Sequence, residues 1–508
     1  MLDMKLTADA CYRVLLSRDP RFDGVFFVGV TTTGIYCRPV CTARTPGRDR
    51  CRFFASAPQA EQAGFRPCLR CRPELAPGNS TVDALSRTAR LAAARIEAGA
   101  LADGGSVERL ARSLGVSSRQ LRRSVQQELG VTPIQLAQTR RLLLAKQLLT
   151  ESRLPIIQVA AASGFASVRR FNALFRTHYG LTPSRMRRGS ARAPVDRLRL
   201  LLAYRPPLAW RSMLRFLSAR ATPGVELVID NAYLRTLAIG KHRGWLRVEP
   251  VAGKNLLAVE LSTSLVGALG AVLARIKDMF DLSARPDVIA RALSADRDLA
   301  AAVKRTPGLR VPGTVDGCEL AVRAILGQQI SVRAATTLAG RLAAEFGDTI
   351  ETPFAGLDRL TPTAERIAAT STAALAALGM RSGVATAVTA LATAIAEGRI
   401  VLEPGVAAEE VAEQLVELPG VGAWTAQYIA MRALRWPDAL PASDLGLLRA
   451  AGVRSPAVLT ERAEAWRPWR AYAAMHLWES LHELPAKQKA TTSKPRPTKR
   501  RQLAGSLT

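Results

Sequence analysis

L-P-G-V-G-A-W-T-A (residues 418–426), followed by A-L-P-A-S-D-L-G-L (439–447), is the stretch on which the reading of this chain turns. The first part has the glycine spacing of a helix–hairpin–helix. Gly420 and Gly422 let the backbone turn tightly and offer N–H groups to a phosphate. Such hairpins occur in many DNA-binding proteins and alone say little more. The second part adds a carboxylate, Asp444, twenty residues after Trp424 and just beyond a proline. A lone aspartate after a turn is ordinarily a helix N-cap. What surrounds the hairpin decides between that role and chemistry.

Outward from this stretch, the chain is too long for one ordinary domain, at 508 residues. It carries a net charge of +29, unevenly placed. Residues 1–192 hold 31 Lys/Arg against 13 Asp/Glu, and the tail from Pro485 holds seven basic residues and no acidic ones. That asymmetry points to a polyanion, most simply nucleic acid. No apolar run is long enough to span a membrane, and the N-terminus lacks a signal pattern. The expectation is a soluble, cytoplasmic, nucleoid-associated monomer.

The pattern predicts a multidomain fold, mainly α with α+β parts. Residues 1–78 are rich in turns and cysteine. Residues 80–190 read helical, and R-R-G-S-A-R-A-P (187–194) reads as a linker. Residues 195–288 hold short strand-like runs (V-E-L-V-I-D, W-L-R-V-E-P-V, L-L-A-V-E-L) and a long amphipathic helix over 266–280. Residues 289–484 are again helical. The basic tail 485–508 reads as disordered.

An internal repeat lies in the basic half. L-G-V-S-S-R-Q-L-R-R (114–123) returns as S-G-F-A-S-V-R-R-F-N (163–172), and each copy is followed by G-[VL]-T-P. Gly115 and Gly164 stand where a helix–turn–helix needs its tight turn. The following helices would present Arg119, Arg122, Arg169 and Arg170 to adjacent major grooves; a plain helical bundle is the blander reading. Over about 105–188 the pattern resembles the AraC-type DNA-binding domain. Promoter DNA and RNA polymerase are the partners that this resemblance implies.

Cys37, Cys41, Cys68 and Cys71 form C-x3-C and C-x2-C pairs, a spacing that suits tetrahedral zinc with four thiolates. By spacing alone this is a zinc staple without chemistry. The surrounding D-P-R-F-D-G, T-T-G-I-Y-C-R-P and G-F-R-P-C-x-R-C resemble the N-terminal domain of the Ada methylation-response protein. The resemblance makes Cys37 the acceptor of a methyl group from a DNA methyl phosphotriester. It makes all four cysteines zinc ligands, and Thr33, Arg44 and Arg66 contacts to the DNA backbone. Zinc-bound sulfur is a thiolate and hence a nucleophile. Methylating one sulfur removes a negative charge, which should strengthen DNA binding. Cys11 and Cys51 read as buried and incidental. No P-C-H-R motif of a second methyltransferase domain is found.

The hairpin and its aspartate resemble the helix–hairpin–helix DNA glycosylases. Y-R-P-P-L-x-W (204–210), F-L-x-x-R-A (216–221), L-R-x-P-G (309–313), R-A-I-L-G-Q-Q-I-S-V (323–332) and W-R-P-W-R-x-Y-A-x-x-H-L-W (466–478) narrow this to AlkA-type 3-methyladenine DNA glycosylase II. The resemblance implies that Asp444 is the catalytic carboxylate, stabilising the positive charge that develops on the sugar. Trp424 stands where strand-cleaving relatives have a lysine, so the expectation is hydrolysis without a Schiff base. Trp424, Tyr428 and Trp478 match an aromatic pocket that stacks on a flipped alkylated base, although tryptophan is more often core. Gln329 stands where the family has a leucine wedge, and Ile330 is the alternative. Leu445 replaces a pocket tyrosine. The carbonyls of Val416, Leu418 and Val421 match a monovalent-cation site. The rival reading is a DNA-binding regulator with an inactive glycosylase-like part.

Overall fold

The computed structural model describes residues 6–78, 87–102, 105–187 and 197–483. Most of the expected linker, the whole basic tail and the start of the expected second domain lie outside them. No helix among the described residues is long and apolar enough to cross a membrane.

The cysteine-rich segment holds more regular structure than its turns suggest. Strands β1 (Phe27–Val30), β2 (Ile35–Cys37), β3 (Cys51–Phe54) and β4 (Arg66–Pro67) form one sheet in the order β3-β1-β2-β4. Phe27, Tyr36 and Phe65 make its core together with Leu143, which comes from a long helix Pro133–Glu151 in the next segment. Cys11 and Cys51 lie buried in a second small cluster with Leu15, Phe26 and Val28.

Both repeat copies are helix–turn–helix units. Val107–Ser113 turns into Ser118–Leu129, and Ile156–Ala162 turns into Val168–Tyr179. Gly115 and Gly164 adopt left-handed φ of 66° and 78° at the turns, a region open to glycine at little cost. The repeated G-[VL]-T-P has a local explanation. Gly130 and Gly180 close the preceding helices in left-handed conformation, while Thr132 and Thr182 N-cap the next ones with proline at the first turn.

The α+β segment is an antiparallel sheet of β5 (Arg197–Ala203), β6 (Glu226–Ile229), β7 (Ala232–Ile239), β8 (His242–Pro250) and β9 (Leu256–Ser262), in the order β5-β9-β8-β7-β6. Alternation along β7 sends Tyr233 and Leu237 to the main core and Ala232 and Leu234 to a smaller cluster with Trp245 and Leu357. The sequence alone points to β6, β8 and β9 and misses β5 and β7. The expected helix over 266–280 begins later, at Leu269. Residues Thr263–Ala268 form a 3-10 turn instead, since Gly267 packs directly against the His242 ring of β8. The main core of this sheet is continuous with Leu142, Leu149, Phe171 and Phe175 of the helix–turn–helix segment. The remaining helices pack around a large core that includes Leu320, Leu391, Ile429 and Trp466.

Candidate active site: an aromatic pocket and a four-cysteine cluster

The hairpin joins helices Ala408–Val416 and Ala423–Arg432. Gly420 has φ of 77°, whereas Gly422 has an ordinary φ of −91° and open space where a side chain would stand. Only Gly420 is therefore demanded by the turn; at Gly422 the fold leaves bare backbone. Trp424 and Tyr428, one helical turn apart, stack with ring centroids 5.4 Å apart and planes inclined by 11°. Trp478, from the helix Arg470–Glu483, meets Tyr428 edge-on at 6.3 Å.

Asp444 is where these parts converge. Its Oδ2 accepts the Trp424 indole N–H at 3.0 Å and its Oδ1 accepts the Trp478 indole N–H at 2.9 Å. Oδ1 also accepts the Leu447 N–H at 2.9 Å, so Asp444 N-caps the helix Leu445–Ala450. The sequence reading sets the capping role and the pocket role against each other. In the structure the cap bond and both indole bonds meet on the one carboxylate. Leu445, beside it, is 82 % exposed.

Three arginines that sequence reasoning missed surround Tyr428. Arg432 donates to the Tyr428 hydroxyl at 2.9 Å and to the carbonyls of Pro312 and Gly313. Arg220 stacks over Phe216, with its guanidinium 3.8 Å from the ring centroid. Arg323 donates to Thr222 and Thr336. Burial pushes the Tyr428 phenol up, but Arg432 and Arg220, with Arg323 behind them, pull it down to about 8. The signal was present in part: Tyr428 and Arg432 stand four apart on one helix.

The second site is the cysteine cluster. The Sγ atoms of Cys37, Cys41, Cys68 and Cys71 all lie within 4.8 Å of one another, the one such group among the described residues. Tetrahedral zinc with bonds of about 2.3 Å requires sulfurs roughly 3.8 Å apart, so the four residues fit that ion. Cys41 and Cys68 are buried; Cys37 and Cys71 are partly open. The Arg38 N–H donates to Cys71 Sγ at 3.3 Å, and the Arg38 guanidinium pairs with buried Asp23. Lys146, buried in the helix Pro133–Glu151, donates to the Cys68 carbonyl at 3.0 Å and pairs with Glu74 at 2.5 Å. A neighbouring segment thus supports the backbone of a ligand, which spacing does not reveal.

Four family descriptions match the chain. Residues 10–74 match the metal binding domain of Ada, and 110–189 a helix-turn-helix domain. Residues 199–316 match the AlkA N-terminal domain, and 322–453 the HhH-GPD superfamily of base excision DNA repair proteins. The "probable bifunctional transcriptional activator/DNA repair enzyme AlkA" of Mycobacterium tuberculosis is 40% identical over 489 residues, covering 93% of this chain and 96% of that protein. The chain belongs to this AlkA family. Escherichia coli DNA-3-methyladenine glycosylase 2 is 38% identical over 277 residues, covering 54% of this chain and 95% of that protein. The E. coli bifunctional transcriptional activator/DNA repair enzyme Ada is 38% identical over 129 residues, covering 25% and 34%.

In this AlkA-type chain, most of the remaining residues singled out from sequence fall on open surface. Thr33, Arg44, Arg66, Arg119, Arg122, Arg169 and Arg170 are all exposed. Arg122 also pairs with Glu108 at 2.8 Å. Gln329 is exposed, with left-handed φ of 58°, and its side chain accepts from Arg381 at 3.0 Å. Its neighbour Gln328, not singled out, donates to the Gly420 carbonyl and the Thr425 hydroxyl, tying the Q-Q loop to the hairpin. Ile330 is partly buried. The Leu418 carbonyl already accepts the Val421 N–H at 3.1 Å.

Proposed function

We propose that this chain performs two repair reactions on alkylated DNA and couples one of them to gene activation. The first is hydrolytic excision of alkylated purines such as 3-methyladenine. The observation that carries it is the convergence of two indole N–H groups on the Asp444 carboxylate. A cationic base stacks among Trp424, Tyr428 and Trp478. As the N-glycosidic bond breaks, its electron pair leaves with the base. The Asp444 carboxylate stabilises the oxocarbenium-like sugar and orients the attacking water. With Trp424 in place of a lysine, the sugar forms no Schiff base and the strand stays intact. Gly420 and Gly422 meet the backbone phosphates, and Gln329 or Ile330 fills the gap left by the base. A monovalent cation on the carbonyls of Val416, Leu418 and Val421 is consistent with this hairpin.

The second reaction is stoichiometric. Zinc held by Cys37, Cys41, Cys68 and Cys71 would keep their sulfurs deprotonated. Cys37 Sγ attacks the methyl carbon of a methyl phosphotriester; the C–O bond breaks and the phosphodiester leaves with the electron pair. The thioether on Cys37 is permanent. Thr33, Arg44 and Arg66 meet the DNA backbone, and Arg119, Arg122, Arg169 and Arg170 read promoter DNA beside RNA polymerase.

Incubation with methylated duplex DNA tests both halves. Free 3-methyladenine should appear with wild type and with Cys37→Ala, and not with Asp444→Asn. Mass spectrometry should place a methyl group on the Cys37 peptide and none on Cys41. DNA binding without base release by wild type would favour a regulator with an inactive glycosylase-like part.

A further inference from the structure

The zinc module and the glycosylase part meet at one buried side chain. Arg205, from Y-R-P-P, is 0% exposed. Its guanidinium faces five backbone carbonyls. On one side Nε donates to Asp23 O at 2.9 Å, and Nη2 to Gly78 O at 2.8 Å and Pro77 O at 3.3 Å. On the other, Nη1 donates to Ser283 O at 2.5 Å and Ala284 O at 3.5 Å. The first three belong to the cysteine-rich segment and the last two to the segment entering the glycosylase helices.

The surroundings are built for this contact. Gly24 has φ of 74°, and a side chain there would collide with the Pro77 carbonyl. The carboxylate of Asp23 pairs with Arg38, which touches Cys71 through its backbone N–H. Behind Arg205, its own carbonyl accepts from Arg310 at 2.6 Å, and Arg310 is also buried. Hydrogen bonds, joined through the backbone of Asp23 and Arg205, lead from partly open Cys71 to the loop 309–313 that holds Arg432.

We propose that Arg205 is an inter-module latch: the glycosylase part carries a docking site for the zinc module, and the arginine closes it. The partner is the zinc module's own backbone at residues 23–24 and 77–78. Planar guanidinium geometry suits it, since one side chain satisfies acceptors on both modules at once. The four-cysteine cluster is thereby held at a fixed position relative to Trp424 and Asp444. This inference does not rest on the activities proposed above.

Hydrogen exchange on the full chain tests it. In wild type, residues 66–78 should be as protected as residues 281–284. Arg205→Ala should raise exchange at both segments by about 10- to 100-fold, the effect of leaving buried carbonyls unpaired. Protection in β8 and β9 should not change. Arg205→Lys, which retains charge but reaches fewer carbonyls, should fall between. If Arg205→Ala does not fold, the lysine variant and the wild-type comparison still decide. Unequal protection of the two segments in wild type, or unchanged exchange in Arg205→Lys, would overturn the latch.

Discussion

The cysteine cluster and the aromatic pocket assemble their parts in opposite ways. Four sulfurs come from two short pairs on adjacent turns of one small sheet. The pocket draws Phe216 from a helix beside one sheet, Arg220 from the turn after it, Trp424 and Tyr428 from the hairpin helix, Asp444 from a turn and Trp478 from the last helix. The cluster is set by local spacing, and an ion would complete it; the pocket is held by packing of distant helices. Local sites depend on their ligand, and packed sites depend on the precision of the contacts around them.

The sharpest way to break this contrast is to remove the metal. Structural zinc in small modules is worth about 10–16 kcal/mol. A strong chelator should abolish protection across residues 27–71, while base excision by the pocket persists. Loss of both together would show that the pocket also depends on the ion. A second test lies within the pocket. Trp424→Phe leaves Asp444 Oδ2 without its indole donor, at a cost of about 1–3 kcal/mol. Single-turnover excision should fall by roughly tenfold or more. Trp478→Phe should cost less, because Oδ1 keeps the Leu447 N–H.

A smaller effect concerns charge. Tyr428 should titrate near about 8, with tyrosinate absorbance appearing as pH rises through that value. Arg432→Gln should move the transition upward, and Tyr428→Phe should abolish it. The smallest effect is at the contact between the zinc module and the second helix–turn–helix. There Glu61 accepts from Tyr36 at 2.9 Å and Thr139 at 2.5 Å and pairs with His178 at 2.7 Å. Burial lowers the His178 pKa, but the Glu61 hydrogen bond and charge together outweigh it, and the net shift is upward. The pair's contribution is therefore full below the ordinary histidine value of about 6.5 and is lost as pH rises through the higher folded value. Thermal melts of wild type and His178→Gln should converge above that point.

The same contrast explains what was legible in the sequence. Cys37, Cys41, Cys68 and Cys71 could be read because metal ligation fixes spacing along the chain. The repeat could be read because turn glycines and capping threonines are obligatory at fixed offsets. Strands β5 and β7 could not: R-L-R-L-L-L-A and A-Y-L-R-T-L-A-I place arginines inside strands, and Arg235 is buried against Glu226 and Glu319. The arginines around Tyr428, the support of Cys68 by Lys146 and the position of Arg205 depend on contacts between residues far apart in sequence. Apart from the Tyr428–Arg432 spacing, no local pattern records them. Asp444 was legible as one role or another; only the geometry shows that Oδ1 takes both the cap bond and the Trp478 indole while Oδ2 takes the Trp424 indole.

Leu445 has a thermodynamic consequence. A leucine left in water beside Asp444 is an unfavourable surface until something covers it. A nucleotide entering beside Asp444 would remove that apolar area from water, at about 25 cal/mol per Å². Its signature would be a negative heat-capacity change on association. DNA binding there would draw affinity from solvent release, at a position where a tyrosine would have offered a hydroxyl.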